Sequence, residues 1–247
     1  MKNSFERIEK KYLVNQEQKD KLVNLLLEHA EYDKFCIGNK TYKIMNVFYD
    51  TPNQDLISYS IDSPNHIYKE KLRARKYVDS DTCFLEIKKK YDGVVGKRRI
   101  KLHVDELNAF IHEGIAPEKH KYVNKQIVEE IKYFLKQYPD IKENLFLSYD
   151  RLGFFDKLDP NLRITFDNNI RYSRTSFDWE NVKDTINVLE EGTYVLEIKT
   201  SNPLPLWLAR FLSEEGIHHK RFSKYGTGYK YYLKEDDNNG LIQKLYL

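Results

Sequence analysis

The run Lys69-Glu70-Lys71-Leu72-Arg73-Ala74-Arg75 constrains this chain more than any other stretch. Side chains alternate between faces along a strand, so residues two apart share an environment. Extended, the run puts Lys69, Lys71, Arg73 and Arg75 on one face, with Leu72 and Ala74 on the other. The alternation recurs along the chain. Arg7, Glu9 and Lys11 share a face. Glu86 and Lys88 oppose Leu85 and Ile87, and Lys97, Arg99 and Lys101 oppose Ile100 and Leu102. Tyr149 pairs with Arg151. Arg163, Thr165 and Asp167 are backed by Leu162, Ile164 and Phe166, and Glu197 and Lys199 by Leu196 and Ile198. One such strand is what any half-exposed sheet presents. Seven of them, dominated by Arg and Lys, point instead to faces that converge inside a closed sheet. There, repulsion among cations must be offset by a bound anion. Guanidinium forks and ammonium groups are natural partners for phosphate oxygens.

The rest of the sequence fits a strand-rich protein. Apolar runs reach only Leu25-Leu26-Leu27, far short of a bilayer span, and the opening residues lack the apolar core of a signal peptide. These features point to a cytoplasmic chain with no transmembrane segment of its own. With 19 Tyr and 13 Phe the chain can bury a core, and its 247 residues suit one large domain or two small ones. Cys36 and Cys83 show no metal or redox spacing. The 41 basic and 38 acidic residues leave a net charge of +3, which argues against a nucleic-acid partner. Any anion site must come from segregated charge.

Strands are expected over Ser4–Val14, Met45–Tyr49, His66–Val78, Thr82–Lys90, Lys97–Val104, Leu145–Phe155, Leu162–Tyr172 and Tyr194–Thr200. Asp92-Gly93 supplies a turn. Helices are expected after the cap Asn15, with Gln18 three residues on, and over Asp105–His112, Lys125–Gln137 and Leu206–Glu215. Strands without regular helix alternation give an α+β class dominated by antiparallel sheet. The polar stretch from Lys234 to Gly240 marks where the compact fold loosens. Gly93-Val94-Val95-Gly96-Lys97 lacks the spacing of a Walker loop, and Gly226-Thr227-Gly228 is no dinucleotide fingerprint. Both read as turns.

Three segments, Glu9-Lys10-Lys11, Glu86-Ile87-Lys88 and Glu197-Ile198-Lys199, set a carboxylate and an ammonium on one strand face. They are either intra-strand ion pairs or carboxylates that hold Mg²⁺ or Mn²⁺ against phosphate charge.

Taken in order, these motifs resemble the VTC domain, the polyphosphate polymerase domain of the triphosphate tunnel metalloenzymes (CYTH-like superfamily). Phe5-Glu6-Arg7-Ile8-Glu9-Lys10-Lys11 is similar to its opening strand, with Arg7 at the first Glu position of the wider superfamily's Glu-x-Glu-x-Lys. Lys71-Leu72-Arg73-Ala74-Arg75 resembles its paired-arginine strand. Leu85-Glu86-Ile87-Lys88 and Gly96-Lys97-Arg98-Arg99 resemble the two following basic strands. Ser148-Tyr149-Asp150-Arg151 and Leu162–Asp167 are similar to later strands, and Leu196-Glu197-Ile198-Lys199 to the metal-binding strand. Arg221-Phe222-Ser223-Lys224-Tyr225 resembles the closing Lys-Phe-Ser-Lys, with Arg221 where Lys is expected.

The resemblance implies one domain over residues 1–247, its compact part about 4–233. It implies a closed antiparallel β-barrel, the triphosphate tunnel, with flanking helices. It also implies transfer of the ATP γ-phosphoryl group to growing inorganic polyphosphate. Lys11, Arg73, Arg75, Lys88, Lys97, Arg151, Arg163 and Lys224 would carry the reaction. Arg7, Arg99, Tyr149, Lys199, Arg221 and Ser223 would contact substrate, although Tyr149 also reads as a packed strand aromatic. Glu197, with Glu9 and Glu86, would hold Mn²⁺ or Mg²⁺. The chain has no SPX domain and no membrane helix, so any membrane partner would be a separate protein. A metal-dependent tripolyphosphatase and a non-catalytic polyphosphate or nucleotide sensor are the competing readings.

Overall fold

The alternating segments form strands in the computed structural model. It describes residues 8–236 apart from 37, 39, 62–66, 79, 93, 119–123 and 188, with no side chains described for 233–236. In chain order the elements begin with β1 (Ile8–Val14), α1 (Gln16–His29), β2 (Ala30–Tyr32), β3 (Tyr42–Asp50) and α2 (Asp55–Ile61). Next come β4 (Tyr68–Tyr77), β5 (Thr82–Tyr91), β6 (Val94–His103), α3 (Val104–Glu113) and α4 (Lys125–Gln137). The chain continues through β7 (Lys142–Asp156), β8 (Arg163–Ser173), β9 (Ile186–Asn187), β10 (Tyr194–Thr200), α5 (Leu206–Glu214) and α6 (Lys224–Asp236).

The strands make one sheet in the order β1-β10-β8-β7-β3-β4-β5-β6, with β2 beside β7 and β9 beside β8. The α+β antiparallel architecture is therefore as the sequence indicates. Among the described residues the hydrogen-bonded path ends at β1 and β6, so closure by a continuous ladder is not part of it.

The chain divides into two compact units. The first gathers Met1–Lys43, Tyr149–Ile170 and Asn187–Ser223; the second gathers Ile44–Ser148, Arg171–Ile186 and Lys224–Leu247. Each has its own apolar core. In the first, Leu22 and Leu26 of α1 pack with Phe154, Phe166, Leu196, Ile198 and Leu208. In the second, Leu72, Ala74, Leu85, Ile87, Ile100 and Leu102 supply the sheet face, and Phe110, Ile131 and Phe134 supply the helices. These are the residues that the period-two pattern sets opposite the charged faces, so burying one face fixes the register that exposes the other.

Local signals act as expected at the helix starts. Asn15 caps α1 by accepting from the Gln18 amide at 2.9 Å, and the Gln18 side chain accepts from the Asn15 amide at 3.1 Å. α5 begins directly after Pro205. Two expected turns are something else: Gly96-Lys97 lies within β6, and Gly226 to Gly228 lies within α6. α6 also runs on through Lys234 to Asp236, into the polar stretch expected to loosen. α2 and α6 were not legible in the sequence. Among the described residues no helix is long and apolar enough to cross a membrane. Cys36 and Cys83 are free and buried, and burial pushes the Cys83 thiol up to about 12.

Candidate functional site

The charged faces of the two units differ in how they balance charge. In the second unit, register places Lys71 opposite Lys88 and Lys88 opposite Lys97. The next row is Arg73, Glu86 and Arg99, and the next Arg75, Phe84 and Lys101. Seven cations thus surround one acid on three adjacent strands. Like charges directly opposite one another destabilise a sheet, by some tenths of a kcal/mol to about 1 kcal/mol per pair.

Glu86 is the hub of this face. Its side chain is only 2% exposed; Oε2 accepts from the Arg73 guanidinium, and Oε1 pairs with the Lys97 ammonium. Burial alone would raise its pKa, but Arg73, Arg75 and Lys97 lower it to about 2. Lys97 moves down from its ordinary value, because burial and the two arginines outweigh Glu86. Arg75 donates through Nε to Asn46 Oδ1 at 3.0 Å, and Asn46 in turn donates to the Leu147 carbonyl at 3.1 Å. Arg99 lies 4.8 Å from the centre of the Phe84 ring, and Arg73 lies 5.7 Å from that of Phe48. Lys224 begins α6, where its carbonyl accepts from the Tyr172 hydroxyl at 2.7 Å.

In the first unit, acids and cations interleave. Lys11 Nζ lies 3.2 Å from Glu9 and 3.7 Å from Glu197; Lys199 Nζ lies 3.3 Å and 3.6 Å from the same two carboxylates. Burial works against ionisation of Glu9, but Lys199 and Lys11 hold its carboxyl below the ordinary range. Arg151, buried, donates from Nε and Nη2 to the two oxygens of Asp167 at 2.6 and 2.7 Å, and from Nη2 to Glu197 at 3.4 Å. Burial would favour its neutral form, yet Asp167 keeps it charged well above the ordinary arginine range. Tyr149 is buried, its ring centre 5.2 Å from that guanidinium. Arg163 donates to Asp33 at 2.5 Å and to the Tyr42 hydroxyl at 3.2 Å. The segment bearing Arg221 and Ser223 runs beside β1: Lys220 N–H donates to the Lys11 carbonyl at 2.8 Å, and Lys11 Nζ to the Phe222 carbonyl at 3.2 Å.

The structure thus brings Glu9, Lys11, Tyr149, Arg151, Arg163, Glu197 and Lys199 onto neighbouring strands of the first unit. It brings Arg73, Arg75, Glu86, Lys88, Lys97 and Arg99 onto one face of the second. Arg7 lies outside the described residues. Sequence reasoning missed Asp33, Asn46 and Phe48, each joined to its arginine from a different strand or loop. Asp167 was visible, two residues beyond Thr165 on the same face, but its tie to Arg151 was not.

Glu9 and Glu197 suit a hard cation. Mg²⁺-type sites use one or two carboxylates and fill the remaining positions with water and phosphate oxygens. Thr165, opposite Glu197 in register, has a buried hydroxyl oxygen with no protein partner, as a site completed by another species would leave it. Glu86 lies in the second unit and, like Glu9 and Glu197, has a cation beside each oxygen. Among the described residues no three His, Cys, Asp or Glu side chains form a metal-binding group, so the protein would supply two carboxylates at most here.

Comparison with known proteins bears on these faces. No curated protein matches the chain. Among the solved structures that share its fold are the following two. One is a candidate adenylate cyclase from Bacillus halodurans, 14% identical, with a TM-score of 0.54 over 88% of this chain and 93% of the other. The other is a candidate adenylyl cyclase from Hippeastrum described as having a dominant triphosphatase activity. It is 19% identical, with a TM-score of 0.51 over 96% and 99%. The VTC domain model matches residues 6–233, across the strands that carry both charged faces. The chain therefore belongs to the VTC domain family.

Proposed function

We propose that this chain is a polyphosphate polymerase that moves the γ-phosphoryl group of ATP to a growing inorganic polyphosphate chain with the help of a divalent cation. The observation that carries the reading is the register that sets seven cations and Glu86 together on three adjacent strands, a concentration of guanidinium and ammonium groups that suits a polyanion. Phosphoryl transfer asks mainly for positioning and for neutralisation of charge on phosphate oxygens.

Arg73, Arg75, Lys88, Lys97, Arg99 and Lys224 bind phosphate oxygens from the second unit. On the first unit, taken by itself, Lys11, Lys199, Arg151, Arg163, Arg221 and Ser223 are the phosphate contacts, with Tyr149 orienting Arg151. Glu197, assisted by Glu9, holds the cation. When bound, Mg²⁺ or Mn²⁺ neutralises phosphate charge and favours loss of the nucleoside diphosphate. A terminal phosphate oxygen of the acceptor attacks the γ-phosphorus. The bond from that phosphorus to the β–γ bridging oxygen breaks, and ADP leaves with the electron pair. No side chain is needed as a covalent nucleophile.

Hydrolysis is the second reading, favoured by the triphosphatase activity reported for the Hippeastrum protein of the same fold. Incubation with ATP and Mn²⁺, followed by a polyphosphate gel and ADP and phosphate assays, separates the two. A ladder of long chains with matching ADP is expected. Free phosphate with no ladder would replace the polymerase by the hydrolase, and binding without turnover would leave a sensor.

A further inference from the structure

We propose that Tyr225 and Phe48 are positioning residues of the basic face: a stacked aromatic pair that holds Lys71, Arg73 and the first turn of α6 in place. The inference rests on reading that face as a phosphate site. The two rings stack with centroids 4.0 Å apart and planes within 6°. Both are buried, so the pair offers no open ring to a ligand, and its effect must pass through its neighbours. The neighbours are cations of the face. Lys71 Nζ lies 5.1 Å from the Tyr225 ring centre, and the Arg73 guanidinium lies 5.7 Å from that of Phe48. A cation held over a ring face gains modest electrostatic stabilisation and loses rotamer freedom before the ligand arrives. Phe48 is also the register partner of Arg73, so the contact is built into the β3–β4 ladder.

Tyr225 fixes α6 as well. Its hydroxyl donates to buried Asp50 at 3.3 Å and accepts from Asn144 Nδ2 at 3.2 Å. Asp50 meanwhile accepts from the Leu56 and Ile57 amides that open α2. Burial makes that hydroxyl hard to ionise, and Asp50 adds to this, so it remains a donor at every working pH. The other side of the helix is set by Tyr172, which donates to the Lys224 carbonyl. A Cβ built at Gly228 would meet the Tyr172 ring at 2.3 Å. The residue next to Lys224 is thus wedged between ring and acid, and Lys224 inherits its position from it. The same close fit explains the glycine at position 228.

The pair separates two jobs, ring and hydroxyl, and the test exploits that. Tripolyphosphate affinity is measured by calorimetry at fixed salt, beside ligand-free thermal unfolding, for the wild-type chain, Tyr225→Phe and Tyr225→Leu. Tyr225→Phe keeps the ring and loses only the hydroxyl's ties to Asp50 and Asn144; it should melt lower and lose clearly less affinity than Tyr225→Leu. Tyr225→Leu loses the ring; it should bind about fivefold or more weakly, the scale of one cation–π contact plus a loosened helix turn. If it does not fold, Phe48→Leu takes its place with the same expectation through Arg73. Wild-type-like affinity in the leucine variant, or equal losses in Phe and Leu variants in step with their melting temperatures, overturns the positioning role. A wild-type chain that does not bind tripolyphosphate overturns the phosphate site itself, a different and distinguishable result.

Discussion

Replacing Glu86 by Gln tests the centre of the basic face with a sign and a size. The folded chain holds this carboxyl at about 2 against an ordinary 4.5, because three cations outweigh burial. Each pKa unit is worth about 1.4 kcal/mol, so the ionised form contributes on the order of 3 kcal/mol at neutral pH. A lowered folded-state value means that this stabilisation is complete above about 4.5 and is lost as pH falls towards about 2. Linkage then leaves less than half of that at pH 3. Gln keeps the shape and one acceptor but not the charge. Urea unfolding should therefore show Glu86→Gln weaker than wild type by about 3 kcal/mol at pH 7, the gap shrinking to about 1 kcal/mol at pH 3. A gap of the same size at both pH values would refute the electrostatic account and leave a packing defect. There is a second, opposite sign. With its internal counter-ion gone, the face should gain more from an external one, so tripolyphosphate should raise the melting temperature of Glu86→Gln by more than that of wild type.

Asp167→Asn strands the buried Arg151 charge and Arg151→Met strands the buried Asp167 carboxylate, and each should cost about 3–5 kcal/mol in urea unfolding. Gly228→Ala forces a methyl into the Tyr172 ring and should destabilise by about 1–3 kcal/mol, read as a lower melting temperature. Glu197→Gln should leave the fold and tripolyphosphate binding in place while reducing turnover by about 100-fold or more, and Mn²⁺ titration followed by electron paramagnetic resonance should show the ion lost. Wild-type turnover in that variant would remove Glu197 from the metal role.

The faces were legible because a period of two is unambiguous: once Leu72, Ala74, Leu85 and Ile87 are assigned to a core, Arg73, Arg75, Glu86 and Lys88 have only one side left. What the alternation cannot show is which residue on the next strand each charge meets. The alternation sets Glu86 two residues from Lys88; only the register shows that Arg73 from β4 and Lys97 from β6 reach its oxygens. Asp33 has no periodic neighbour to announce it. It lies in a loop, and Arg163 reaches it from 130 positions away. α6 was missed for a related reason. Lys224-Tyr225-Gly226-Thr227-Gly228 has two glycines and aromatic residues where a helix prefers neither, and only the fit against Tyr172 and Phe48 makes it helical.

The two faces solve the same electrostatic problem in opposite ways. In the first unit Glu9, Glu197 and Asp167 meet Lys11, Lys199 and Arg151 within about 4 Å or less, so each cation already has a carboxylate. Such a face is stable without ligand, and a phosphate entering it must compete with those carboxylates. It can do so cheaply only if something positive takes its place beside them, which is the role a divalent cation would fill at Glu197 and Glu9. In the second unit the three strands β4, β5 and β6 set one carboxylate among seven cations. Screening by salt relieves part of that repulsion and a multivalent anion relieves more, because it brings several charges for the loss of one body's freedom. Ligand dependence of stability should therefore come mainly from the second face, and metal dependence from the first. Substitutions at Glu86 and at Glu197, two acids that the sequence presents in identical Glu-Ile-Lys settings, should for that reason differ in kind rather than in degree.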